Sequence, residues 1–451
     1  MSQQIPLGEA ALEVIRQAKS EVDPRVQISK KEYRRRWEMV QQAMRDREVD
    51  LAYACGSELD RSDAAWLVGA FDPIIERYGV LVPSEGPPAI LAGSEGGHVM
   101  EEAAERSGAR IYLLREFQIS DEEYRHAQFT TLDDVLSCLN AGSAKKLAIV
   151  SSPDVLPYSQ FEIFRKRFGE GVVFDPILQT LKYEKSLPEL LICGQANIIA
   201  DAALRAMLAS IQPGVSELEV AGVGDFVMKE LGAGRTGFPT IVTAGERNYT
   251  VIGPATNNKI RKGDMISLGV SPCFNGYHGV VRRTVKAGEL TKEEDEFLKA
   301  VEGLYRVVMD ATIEAAGRDL PSNHIDQAGK AYLSKLKLRT ISGSLETPIE
   351  PYTFIHNTGC SECQEGYGAV TPHTQAPLGH RVALMIDVAL LGFRRRGEAL
   401  FHVPYGVVED AFWKMDSRVG VYNRLPLRAQ DLVGNLSDYE ANPYHSPVPA
   451  G

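Results

Sequence analysis

Cysteine is sparse in this chain: six in 451 residues, scattered at 55, 138, 193, 273, 360 and 363 with no regular framework. That excludes a disulfide-stapled scaffold and reads as free thiols in a reducing compartment. Basic clusters are also scarce. The net charge of -11 disfavours nucleic acid and anionic membrane surfaces, which both require grouped Lys and Arg. The short runs Arg34 to Arg36 and Arg394 to Arg396 read as solvated faces. No apolar run approaches the roughly 18 residues needed to cross a bilayer. The start of the chain is polar rather than signal-like, and no internal repeat is visible. These absences predict a cytoplasmic protein with no nucleic-acid or membrane partner.

Hydrophobic content of 44% and charged content of 24% are ordinary for a globular chain, and the length suffices for about two or three domains. Residues 1–27 read as a polar lead-in, a helix at the surface. Ser29 is an N-cap candidate before apolar residues at helical spacing. Short apolar runs at Leu51 to Ala54, Tyr78 to Val82, Ala89 to Ala92, Leu147 to Ser151 and Val172 to Asp175 alternate with helical stretches. The alternation predicts an α/β domain over residues 28–182. A boundary falls near Leu181 to Ser186, just before a long helix, and a second domain covers 183–435. Residues 436–451 read as a tail, either docked or loose.

In the second domain Pro213-Gly214 ends one helix and Ser216 caps the next. Thr236 to Ala244, Met265 to Ser271 and Val280 to Lys286 read as strands. With His356-Asn357-Thr358-Gly359, Met385-Ile386-Asp387 and Val407-Val408-Glu409, these segments resemble the pita-bread family of methionine aminopeptidase, prolidase, aminopeptidase P and creatinase. The resemblance runs from about Ser29 to Leu425 and is more specific in the C-terminal half. In the N-terminal half only Ala65 to Phe71 resembles the family, at a strand-turn. It implies an α/β (α+β) protein, a creatinase-like N-terminal α/β domain followed by a C-terminal pita-bread domain.

The family's metal-ligand positions fall here on Gly269, Val280, His356, Asp387 and Glu409. Neither Gly269 nor Val280 has an anionic oxygen to offer a divalent cation. Two carboxylates do not neutralise a pair of such ions, so no cofactor is expected, although one His and two carboxylates leave a single ion open. Creatinase is the family's metal-free precedent, and its strand pair shares Ser267-Leu268, Pro272 and Gly276-Tyr277 with this chain. Its catalytic His aligns with Ile252 and its second-strand Glu with Arg282, which points away from creatine itself toward a less cationic or an anionic substrate.

The candidate catalytic residues are His356, Asp387, Glu409, His278 and Cys363. His278 lies two residues before Val280 and is expected on the same strand and face, as a general acid-base group or as a hydrogen-bonded sheet-edge imidazole. Cys363 takes the place of the family's second His, as a nucleophile or an inert thiol. Candidate substrate-binding residues are Arg282, Tyr277, Glu246, Tyr249 and Cys360. Arg282 is expected either to clamp a substrate carboxylate or to pair with Glu409 or Asp387. Cys360-x-x-Cys363 beside His356 and His373 matches half of a zinc knuckle, but the second close pair is missing. The leading expectation is a metal-independent, creatinase-like hydrolase of a C-N bond in a small amide or amidine. The alternatives are an Xaa-Pro peptidase-like metalloenzyme with one ion, a non-catalytic binding module, and a lyase on a small zwitterion. The resemblance also implies a homodimer.

Overall fold

Leu7–Ala18 forms helix α1, and its apolar side, Ala10, Ala11, Val14, Ile15 and Ala18, is buried. The computed structural model describes residues 7–57, 60–70, 76–119, 123–362 and 370–449. Contacts divide it into two units, one of residues 27–183, the other of the N-terminal residues to Val26 with the chain from Glu184 onward. The lead-in expected at the surface is thus part of the second unit's packing, against its helices α8 (Leu187–Ser210) and α9 (Glu217–Glu230).

In the first unit, Ser29 caps α2 (Lys30–Asp46), its hydroxyl accepting from the Glu32 amide at 3.2 Å. The strands are β1 (Leu51–Gly56), β2 (Tyr78–Pro83), β3 (Ala89–Ala92), β4 (Arg110–Leu113), β5 (Leu147–Ile149) and β6 (Val172–Phe174). They form one mixed sheet in the order β4-β3-β2-β1-β5-β6. The central β1 and β2 are buried along their whole length, which is why they read as continuous apolar runs rather than alternating ones. Helices α3 (Ser62–Val68), α4 (Ser94–Ser107), α5 (Leu132–Cys138), α6 (Tyr158–Phe168) and α7 (Ile177–Tyr183) complete the unit. Ala65 to Val68, expected at a strand-turn, lie in α3 instead, and Phe71 lies outside the described residues.

The second unit is built around α8. A capping box of Ser186 and Glu189 starts it, and Pro188 sits in its first turn. Its best window has a mean hydropathy of 1.3, which corrects the expectation that no segment has the length and apolarity of a membrane span. That window is 78% buried inside the protein, so α8 serves as a core helix. It packs against α1, α9 and strands β9 (Met265–Val270), β10 (Pro272–Phe274), β11 (Tyr277–His278) and β12 (Val281–Lys286). The short β7 (Arg235–Thr236) pairs with β10, and β8 (Ile241–Ala244) pairs with β9. Helices α10 (Lys292–Arg318) and α11 (Asn323–Lys335) follow. Next come a small ribbon of β13 (Leu338–Arg339) and β14 (Leu345–Glu346), then β15 (Ile355–Asn357) and the long β16 (Arg381–Leu391). A second ribbon, β17 (Phe393–Arg395) with β18 (Glu398–Ala399), leads to β19 (Tyr405–Met415) and β20 (Arg418–Val421).

The main sheet runs β15-β16-β19-β12-β9-β8, with β20 on β19, and every pairing in it is antiparallel. The C-terminal tail is docked: the Val421 amide donates to the Tyr444 carbonyl at 2.9 Å and the Trp413 indole to the Ser446 carbonyl at 2.7 Å.

Candidate active site

Four side-chain positions line up in one row across the main sheet. Gly269 of β9 is opposite Arg282 of β12, Arg282 is opposite Glu409 of β19, and Glu409 is opposite Asp387 of β16. Directly opposed residues share a face, so the antiparallel register alone gathers residues far apart in the chain. His356 enters from β15, the next strand along.

The row is an ionic cluster. Arg282 Nη1 lies 3.3 Å from Glu409 Oε2 and 3.5 Å from Asp387 Oδ2. His356 Nε2 lies 3.4 Å from Glu409 Oε1 and 4.0 Å from Asp387 Oδ2. Arg282 Nη2 donates to the Val251 carbonyl at 2.6 Å and to the Tyr405 hydroxyl at 2.8 Å. Tyr352 donates to Asp387 Oδ1 at 3.0 Å and meets the Tyr405 hydroxyl at 3.0 Å. Side-chain exposure is 16% for His356, 9% for Asp387 and 2% for Glu409, so the imidazole is the most solvent-facing of the three.

This environment separates the two carboxyls. Burial, then the charge of Glu409, pushes Asp387 up to about 7, against the pull of Arg282 and His356. Burial opposes ionisation of Glu409 too, but the hydrogen bond from His356 and the charge of Arg282 outweigh it and hold this carboxyl below its usual range. Near neutrality the row therefore holds one ionised carboxyl and one that still exchanges its proton, an arrangement suited to acid-base work.

The loop that supplies the Val251 carbonyl is tied down by Glu217 at the start of α9. This fully buried carboxylate accepts from the amides of Ala244 and Thr256, the Thr256 hydroxyl, Arg247 and Asn258, at 2.8–3.0 Å. Ser216 caps that helix as its sequence predicts, in a capping box with Glu219.

Other expected site residues lie elsewhere. His278 does not share a strand with Val280. The ladder breaks after it, and β11 pairs with β10, so that His278 stands opposite Cys273. Its Nδ1 approaches the Gly359 carbonyl at 3.1 Å, and burial, which opposes charge on the ring, is outweighed by Cys273, that carbonyl and Glu362, shifting it upward. Val280 is buried, and its amide donates to Asn197 of α8 at 3.0 Å. Tyr277 is turned to α8, donating to Glu189 Oε1 at 3.0 Å, so it serves the helix cap rather than the ionic row. Tyr249 is half-buried with its ring 4.9 Å from that of Phe393, and Glu246 is exposed. Cys360 is buried, and Cys363 lies outside the described residues. Arg282 takes the ion-pair alternative, bonded to both carboxylates.

Sequence reasoning missed Tyr352, Tyr405 and Glu362. Glu362 follows the Gly359 turn, and its charge interacts with Glu409, His356, His278 and Arg282. A Cβ on Gly237 would lie 2.6 Å from both Cβ and Cγ of Glu362, so the glycine leaves the room this side chain occupies.

A pair of divalent ions does not fit these residues: Gly269 and Val280 offer no ligand, and the Arg282 guanidinium already contacts both carboxylates of the row. The three donors His356, Asp387 and Glu409 do lie within 4.8 Å of one another.

Residues 193–392 match the model of metallopeptidase family M24. The Xaa-Pro dipeptidase of Pyrococcus furiosus is 25% identical over 248 residues, covering 53% of this chain and 67% of that one. The Xaa-Pro dipeptidase of Pyrococcus horikoshii is 26% identical over 235 residues, covering 50% and 64%. The solved prolidase from Pyrococcus horikoshii superposes with a TM-score of 0.65 at 17% identity, covering 88% of this chain and 99% of that one. The expected two-domain α/β architecture agrees with that likeness of fold. The match to metallopeptidase family M24 thus rests on residues 193–392, and over 88% of the chain the fold is that of the solved prolidase.

Proposed function

We propose that the chain is a prolidase-like hydrolase that cleaves a C-N bond in a small amide without a pair of metal ions. The observation that carries this is one buried row in which Arg282 and His356 both close on Glu409 at 3.3 and 3.4 Å with Asp387 beside them, a setting that favours the ionised form of Glu409 and pushes Asp387 up to about 7. For the reaction class, relatives that are Xaa-Pro dipeptidases favour an Xaa-Pro amide over the creatine-like amidine expected from sequence.

In this reading Glu409 accepts a proton from an attacking water, whose oxygen bonds to the acyl carbon. Asp387 donates a proton to the leaving nitrogen as the C-N bond breaks. The proton on Glu409 then returns to Asp387, its cross-strand neighbour. His356, beside both carboxyls, orients them and faces the substrate. The closeness of the three donors supports a second reading, a peptidase with one ion. The proposal includes a homodimer, which light scattering in solution tests.

A panel of Xaa-Pro dipeptides, other small amides and creatine, assayed with chelator and separately with Mn²⁺, tests the reading. Turnover that survives chelation and is lost in Glu409→Gln supports it. Turnover only with Mn²⁺ favours the one-ion peptidase, an alkene product indicates a lyase, and ligand binding without turnover indicates a binding module.

A further inference from the structure

The three donors that cluster at the site would suit one divalent ion: an imidazole and two carboxylates, all within 4.8 Å. A cation of the protein's own already stands among them. Arg282 Nη1 is 3.3 Å from Glu409 and 3.5 Å from Asp387, and Nη2 is held by the Val251 carbonyl and the Tyr405 hydroxyl. With its side chain only 5% exposed, Arg282 is largely shielded from solvent in this conformation. A divalent ion at ligand distance from the same carboxylates would sit against this guanidinium, and at such separations like charges repel strongly in a buried setting.

The backbone beneath is fitted to this arrangement. A Cβ on Gly269 would lie 2.5 Å from Arg282 Cγ and 3.1 Å from Cδ. The stem of Arg282 therefore runs through the volume that any side chain at 269 would need. A side chain at 269 and Arg282 in its present conformation compete for the same space across this strand pair.

We infer that Arg282, seated on Gly269, is the permanent cation of this site, holding Glu409 and Asp387 in place of a metal and keeping divalent ions out. Its role is positioning and charge balance, and it deepens the proposed metal-independent hydrolase. A guanidinium stays charged at every working pH and does not dissociate, so the site's cation is not lost to chelators.

The test uses the full chain, purified without chelator, with metal content by mass spectrometry and Mn²⁺ and Zn²⁺ titrated by calorimetry. Wild type should retain no stoichiometric ion and show no saturable binding. Arg282→Met should gain affinity by at least about 100-fold, the gain should vanish in Arg282→Met/Glu409→Gln, and Arg282→Lys should still exclude the ions. A stoichiometric ion in wild type that depends on Glu409 overturns the inference, as does a folded Arg282→Met that binds no more tightly than wild type. Should Arg282→Met fail to fold by circular dichroism, the wild-type metal content decides. None of these readouts needs a substrate, so silence across the amide panel would sink the proposed hydrolase and leave this inference standing.

Discussion

Arg283 Nη2 reaches both carboxylate oxygens of Asp410, at 2.9 and 3.2 Å, on the face of the sheet opposite the Arg282 row. Both side chains are fully buried, and the Tyr305 hydroxyl and Asn442 amide add bonds to Asp410 at 2.9 and 3.1 Å. Removing the Asp410 carboxyl leaves the buried guanidinium on backbone carbonyls, with Asp201 as the remaining acid whose charge reaches it. Since burial pushes Asp410 itself up to about 7, the pair is strongest above that pH, where it should be measured. Asp410→Asn should therefore lower unfolding free energy by about 3–5 kcal/mol. Urea denaturation measures it, and a loss under 1 kcal/mol, roughly that of an exposed pair, would refute the reading.

Gly269→Ala tests the seat of Arg282. The new methyl would meet the Arg282 stem at 2.5 Å, and the surrounding strand pair leaves little room to yield. Overpacking of this kind costs about 1–3 kcal/mol. Thermal melts should show the loss in Gly269→Ala and show it relieved in Gly269→Ala/Arg282→Ala; strict additivity of the two changes would count against the contact.

Asp387 sets an alkaline limit. Burial and the charge of Glu409 keep its proton on to about pH 7, so turnover that needs this acid should fall above that pH. The hydrogen bond from Tyr352 opposes the shift, so Tyr352→Phe should move the limb to higher pH. The stability effect has a definite sign. A carboxyl raised in the folded state destabilises it progressively as pH climbs from its unfolded value near ~4 through about 7. Asp387→Asn should lose that slope, and identical pH-stability curves for variant and wild type would contradict it.

Glu362 should be felt by His278. Its charge helps raise that imidazole, so Glu362→Gln should lower the His278 titration midpoint seen by NMR of labelled histidine. Gly237→Ala, which displaces the Glu362 side chain, should shift it the same way. An unmoved midpoint in both variants would remove Glu362 from the site.

Local signals were the most readable part of the sequence. Ser29 and Ser216 cap helices through contacts three residues away, a range at which the chain itself carries the information. His356, Asp387 and Glu409 were legible because each sits inside a short family-like segment. Tyr352, Tyr405 and Glu362 were not, because sheet register and a turn bring them in and no periodic pattern marks them. His278 was misplaced by assuming one unbroken strand, whereas the ladder stops between it and Val281. The apolar length of α8 escaped notice because Asp201 and Arg205 interrupt it, and both are satisfied in the fold: Asp201 by Asn423, Arg205 by the carbonyls of Asn435 and Ser437.

The ionic row borrows one residue from each of four neighbouring strands, and a slip of a single position in any of them would turn that side chain to the far side of the sheet. Its persistence is thus tied to the ladder itself and not to a loop that opens by itself. Amide hydrogens of β12 and β19 should exchange only through the deepest openings of this unit, and the cluster should vanish at the same denaturant concentration as the sheet.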